Sequence, residues 1–76
     1  MLEKFIVLKQ IDDVKRFVSL AISKNFDVDL VSGRYVIDAK SIMGIFSLDL
    51  SKLITVQALS DTGLDAFEAE IKDFIA

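Results

Sequence analysis

The chain contains no histidine and no cysteine, so covalent chemistry would have to run on serine, lysine or a carboxylate. The Ser-His and Cys-His pairings that activate most hydroxyl and thiol nucleophiles cannot form within it. A Ser-Lys pair remains, and Lys40-Ser41 sets the two residue types side by side. Neighbours at a helix start point apart, so this pair reads as a helix cap with a flanking charge. Asp27 and Asp29, followed by Gly33, invite comparison with a calcium-binding loop. Val31 stands where an oxygen ligand belongs and the glycine arrives one residue late, which leaves the two aspartates as the solvated face of a strand. No metal, cofactor or catalytic residue is expected. Ser41 is what remains: its hydroxyl can cap a helix, and the free N–H groups and dipole of that helix start would accommodate a phosphate added to it.

The elements that position Ser41 follow from periodicity. Ala39–Leu48 carries Ile42, Ile45 and Phe46 at helical spacing behind Ser41, which predicts a short, strongly apolar helix. One side of it must be buried, leaving Met43 as its most exposed member and Ile42, Met43 and Phe46 as a candidate docking surface. Upstream, Phe5-Ile6-Val7-Leu8 predicts a strand. Asp12 or Asp13 then caps a helix with Val14, Phe17, Val18, Ala21 and Ile22 on one face and Lys15, Arg16, Ser19 and Ser23 outward. Phe26-Asp27-Val28-Asp29-Leu30 alternates, placing Phe26, Val28 and Leu30 inward, and Ser32-Gly33 turns the chain into Tyr35-Val36-Ile37 as an antiparallel hairpin. A last strand offers Ile54, Val56 and Ala58 on one face, with Thr55 and Gln57 on the other. The final helix opens near Asp61-Thr62, with Leu64, Phe67, Ile71 and Phe74 as its stripe. The order βαββαβα predicts one open antiparallel sheet with helices on one face. A ferredoxin-like domain would share much of this order.

Composition sets the bounds. A chain of 76 residues is one domain that can bury only about 60% of the surface its unfolded form exposes. Its hydrophobic fraction of 53% and mean hydropathy of +0.49 therefore predict apolar surface left outside, concentrated at the central helix. Nine basic residues against twelve acidic ones, with a pI near 4.7, supply no footprint for phosphate backbones, so neither nucleic acid nor an anionic membrane is an expected partner. With no long apolar span and no signal-type cleavage site, a cytoplasmic location is expected.

At Lys40-Ser41-Ile42-Met43-Gly44-Ile45, followed by Ser47-Leu48, the chain resembles the HPr family, the phosphocarrier proteins of the phosphoenolpyruvate-dependent sugar phosphotransferase system. That family's regulatory serine sits in a Lys-Ser-Ile-Met-Gly-Val-like motif. Leu53-Ile54-Thr55-Val56-Gln57-Ala58 is similar to its last strand, and Thr62-Gly63-Leu64-Asp65-Ala66 to its closing segment. The first half matches only weakly. The resemblance implies an open-faced sandwich with strand order 1-4-2-3, and it implies that Ser41 is a regulatory phosphorylation site.

The family's chemistry is where the pattern departs. Its members carry phosphate on a histidine at the start of the first helix, in a Gly-Leu-His-Ala-Arg-Pro-like loop. Here the corresponding segment is Leu8-Lys9-Gln10-Ile11-Asp12-Asp13, in which Gln10 lies near the histidine's place and an amide nitrogen is no phosphate nucleophile. Asp12 and Asp13 bring negative charge where a phosphoryl group would need positive. The expected function is thus an HPr-like relative without phosphotransfer, serving as a regulatory or protein-binding module through its central helix, toward another protein or a second copy. The alternatives are a carrier with an unusual acceptor and a small assembly subunit unrelated to sugar transport.

Overall fold

The computed structural model describes residues 1–76. Its elements are β1 (Leu2–Ile6), α1 (Ile11–Ile22), β2 (Asp27–Ser32), β3 (Tyr35–Asp38), α2 (Ile42–Phe46), β4 (Ile54–Leu59), α3 (Leu64–Glu70) and a 3-10 turn over Lys72–Phe74. The four strands form one antiparallel sheet in the order β1-β4-β2-β3, as expected. All helices lie on one face, and no helix is long and apolar enough to cross a membrane.

Period-2 alternation decides which side chains meet the helices. Ile6, Ile54, Val56, Ala58, Val28 and Leu30 are buried on the inner face against Val14, Phe17, Val18 and Ala21 of α1 and Phe67 of α3. Gly33, at φ 60°, supplies the positive φ that a two-residue hairpin needs at its first turn position.

Several boundaries differ from expectation. The apolar run Phe5–Leu8 is not one strand: β1 stops at Ile6, Phe5 faces outward, and the Val7 N–H leaves the ladder to donate to the Phe74 carbonyl at 2.8 Å. Leu8 is buried in the turn into α1. Phe26 precedes β2 and is only half-buried, its ring edge-on to Phe67 at 5.7 Å. Ile22 is 59% exposed, because it lies about 40° beyond Val18 around the helix, on the side away from Phe17. The last helix starts after Gly63 (φ 77°) rather than at Asp61-Thr62. Ser60 explains the delay, since its Oγ both accepts from the Thr62 N–H and donates to the Thr62 carbonyl, holding those residues in the loop.

The C-terminal segment closes the structure. Ile71 and Phe74 keep the apolar stripe through the break from α3 into the 3-10 turn, and Phe74 meets Phe17 edge-to-face at 5.4 Å. Ile75 bridges to Ile6, and the Ala76 N–H donates to the Phe5 carbonyl at 3.0 Å. These bonds cover part of the β1 edge, which would otherwise present unpaired backbone groups.

Candidate functional site

α2 is only five residues long, and local contacts define it. Ser41 is its N-cap (φ −102°, ψ 101°), with Oγ accepting from the Gly44 N–H at 3.2 Å. At the other end the Ser47 hydroxyl donates to the Gly44 carbonyl. Gly44 is required by packing: a Cβ there would lie 2.6 Å from Ile37 Cγ2 and 3.1 Å from Ser41 Oγ, so glycine lets α2 seat against β3. Just after the helix, the Ser51 hydroxyl and N–H hold the Asp49 carboxyl below its ordinary pKa. The associated contribution to loop order is present above the ordinary aspartate range and is lost as pH falls through the lowered value.

The candidate docking residues separate by face. Ile45 is buried and Ile42 half-buried at the core margin, whereas Met43 is 76% and Phe46 40% exposed. Met43 and Phe46 are three apart and so adjoin on the outer side of the helix. Ser41 is exposed as well. The surplus apolar surface is not confined to α2, contrary to expectation: Phe5, Tyr35 and Val36 on the sheet, and Ile11 and Ile22 on α1, are exposed too. A two-layer fold leaves one sheet face open, so Phe5 and Val36 have nothing to cover them, whereas Tyr35 shares the helix-side face with Ile37 and is exposed at the hairpin end of β3.

Because the cap and its hydrogen bond are both visible, Ser41→Ala is expected to destabilise the domain by about 1 kcal/mol. Chemical denaturation would detect this as a lower midpoint at unchanged slope.

The start of α1 differs from the sequence reading. Neither Asp12 nor Asp13 is the N-cap; Gln10 is, with extended backbone (φ −133°, ψ 160°). Asp13 sits at the third helical position and reaches back, its Oδ2 accepting from the N–H groups of Lys9 at 3.0 Å and Gln10 at 3.2 Å. A carboxylate favours this position because it satisfies unpaired donors and meets the positive end of the helix dipole. Asp12 makes no such bond and is exposed. Arg16, read from sequence as a solvated cation, is instead a bridge. It lies 3.5 Å from Asp13 and 3.9 Å from Asp73, with its guanidinium 5.1 Å from the centre of the Phe74 ring. The Asp13 to Arg16 spacing was visible in the sequence; Asp73, brought in by the C-terminal turn, was not. The groove beside this helix start is lined by Lys9, Asp13 and Asp73 among others, with Arg16 set against both aspartates.

No protein-family model matches the chain, and no curated protein matches it. Among solved structures, the crystal structure of HPr-C-His from Thermoanaerobacter tengcongensis is similar over 97% of this chain and 91% of that one, at 26% identity and a TM-score of 0.80. Together with the sheet order β1-β4-β2-β3 and helices on one side, this similarity shows that the chain has the HPr-like open-faced sandwich fold.

Proposed function

We propose that this chain is an HPr-family relative that has lost phosphotransfer and works as a regulatory, protein-binding module docking through α2. The observation that carries the first half is the Asp13 carboxylate bound to the Lys9 and Gln10 N–H groups, in a chain without histidine. Those donors face an acceptor already, and a phosphoryl group arriving there would meet like charge. Arg16, one of two cations beside this helix start with Lys9, is shared between Asp13 and Asp73. Support for the second half comes from Met43 and Phe46, exposed side by side on a helix whose cap, glycine seat and buried Ile45 keep it rigid. Methionine's flexible, polarisable side chain suits an adaptable contact. The fitting partner is a protein that reads this helix in the HPr family, and the family's serine kinase is one, with Ser41 as its target.

Met43→Lys tests the docking surface. Its unfolding free energy is expected to stay within about 0.5 kcal/mol of wild type, as for an exposed site, while binding to the HPr-family serine kinase, followed by calorimetry, weakens about tenfold. With ATP, that kinase should modify a single site that disappears in Ser41→Ala. Unfolding of Met43→Lys, or unchanged kinase binding, would remove α2 as the docking surface. No incorporation of phosphate would leave Ser41 as a cap alone.

A further inference from the structure

The side of the sheet away from the helices carries two ordered rows that the α2 surface does not use. The register aligns Phe5, Thr55, Val31 and Val36 across all four strands, and two residues further along it aligns Glu3, Gln57, Asp29 and Asp38. Phe5 and Val36 are each 61% exposed, with Val31 and Thr55 half-buried between them. Asp27, two residues beyond Asp29 on the same face of β2, stands opposite Leu59. Glu3 is tied to Gln57, whose Nε2 donates to Glu3 Oε2 at 2.7 Å, but Glu3, Asp27, Asp29 and Asp38 take part in no ion pair. Lys4, the basic residue of β1, points to the helix side and pairs with Glu68. Asp29 and Asp38 stand directly opposite one another, an arrangement that destabilises a sheet by like-charge repulsion. Asp38 accepts from the Lys40 N–H at 2.9 Å, and the face thus holds an apolar strip beside an acidic strip that no side-chain cation pairs with.

From this we infer that the open sheet face binds a cationic amphipathic helix of a partner protein. Dimensions and charge select that occupant. Four strands about 4.8 Å apart make the apolar strip about 14 Å long, which is about three turns of helix. The acidic row lies about 7 Å away along the strands, within reach of lysine or arginine side chains on one flank of a helix seated on the strip. A second copy fits poorly. Two copies face to face would set a second row of carboxylates against the first. Net negative charge on this face likewise disfavours an anionic membrane.

The test uses the isotope-labelled full chain and, as probe, a synthetic helical peptide with a leucine stripe flanked on one side by lysines. A control peptide carries glutamates in place of the lysines. Binding is expected to shift amide resonances of Glu3, Phe5, Asp29, Val31, Val36 and Thr55, and not those of Met43 and Phe46, with affinity falling as salt rises. The glutamate peptide should not bind. Asp29→Lys and Phe5→Ser are each expected to weaken binding about tenfold. Amide spectra of both variants without peptide establish that they are folded, and should either fail, Asp29→Asn, which keeps the side chain's shape, replaces it with a smaller expected loss. Absence of binding, shifts mapping to α1 and α2 instead, or equal binding of the glutamate peptide would overturn the inference. So would concentration-dependent shifts on this face without peptide, which would assign it to a second copy.

Discussion

Phe17→Ala is expected to bring the domain close to the unfolding threshold. Phe17 is fully buried, and truncating such a side chain typically costs about 3–5 kcal/mol through lost transfer energy and the cavity left behind. The edge-to-face contact with Phe74 adds about 0.5–1.5 kcal/mol. A domain of 76 residues has roughly 4–11 kcal/mol in all at the usual per-residue stability. The loss should also spread. Phe74 holds Val7 by its carbonyl, and Ala76 holds Phe5, so loosening the Phe17 contact should free the C-terminal segment from β1 and speed hydrogen exchange there before global unfolding. Urea denaturation checks the size of the effect. Ile22→Ala, on the same helix but exposed, is the control and should shift stability by no more than about 0.5 kcal/mol. Equal costs for the two variants would contradict the core assignment.

The second large effect is functional: Gln10→His should not create a phosphate acceptor. The imidazole would stand at the N-cap of α1, but acceptance of a phosphoryl group also needs donors and positive charge around it. Asp13 occupies the Lys9 and Gln10 N–H groups and draws on Arg16, which Asp73 also engages. Each carboxylate about 6 Å from the phosphoryl group opposes it by about 0.7 to 3 kcal/mol per pair of unit charges, as the effective dielectric runs from that of water to that of a protein surface. Against the family's donor enzyme, labelled phosphoenolpyruvate should therefore transfer nothing measurable to Gln10→His. Adding Asp12→Asn and Asp13→Asn to that variant removes both first-turn charges, and any transfer should first appear there. Rapid labelling of Gln10→His alone would show that the two aspartates do not block the site.

Much of the fold could be read from residue spacing because its strands face core on one side and water on the other. The alternation in Phe26–Leu30 and Ile54–Ala58 points to β2 and β4, with Phe26 falling one residue outside β2, and Ser32-Gly33 points to the hairpin. Phe5–Leu8 was misread because a run of four apolar residues has no period, and only tertiary hydrogen bonds from Phe74 and Ala76 show where β1 stops. The caps of α1 and α3 were misplaced for a related reason. Asp13 functions three residues into its helix rather than ahead of it, and Gly63 takes the cap position through its positive φ. Of the candidate site, Ser41 capping and Met43 exposure were legible, since a short helix seated on Ile45 leaves few choices. The Arg16–Asp73 contact and the two rows on the open sheet face were not, because both depend on pairing between segments far apart in sequence.

The central claim is that an HPr-like scaffold persists here without the carrier reaction. It is tested most directly by incubating the wild-type chain with phosphoenolpyruvate and the HPr family's donor enzyme, then measuring intact mass before and after brief acid treatment, beside a histidine-bearing HPr as control. The expected result is that the control gains one acid-labile phosphate while this chain keeps its unmodified mass. An acid-labile phosphate on this chain would contradict the claim and make it an active carrier with an acceptor other than histidine.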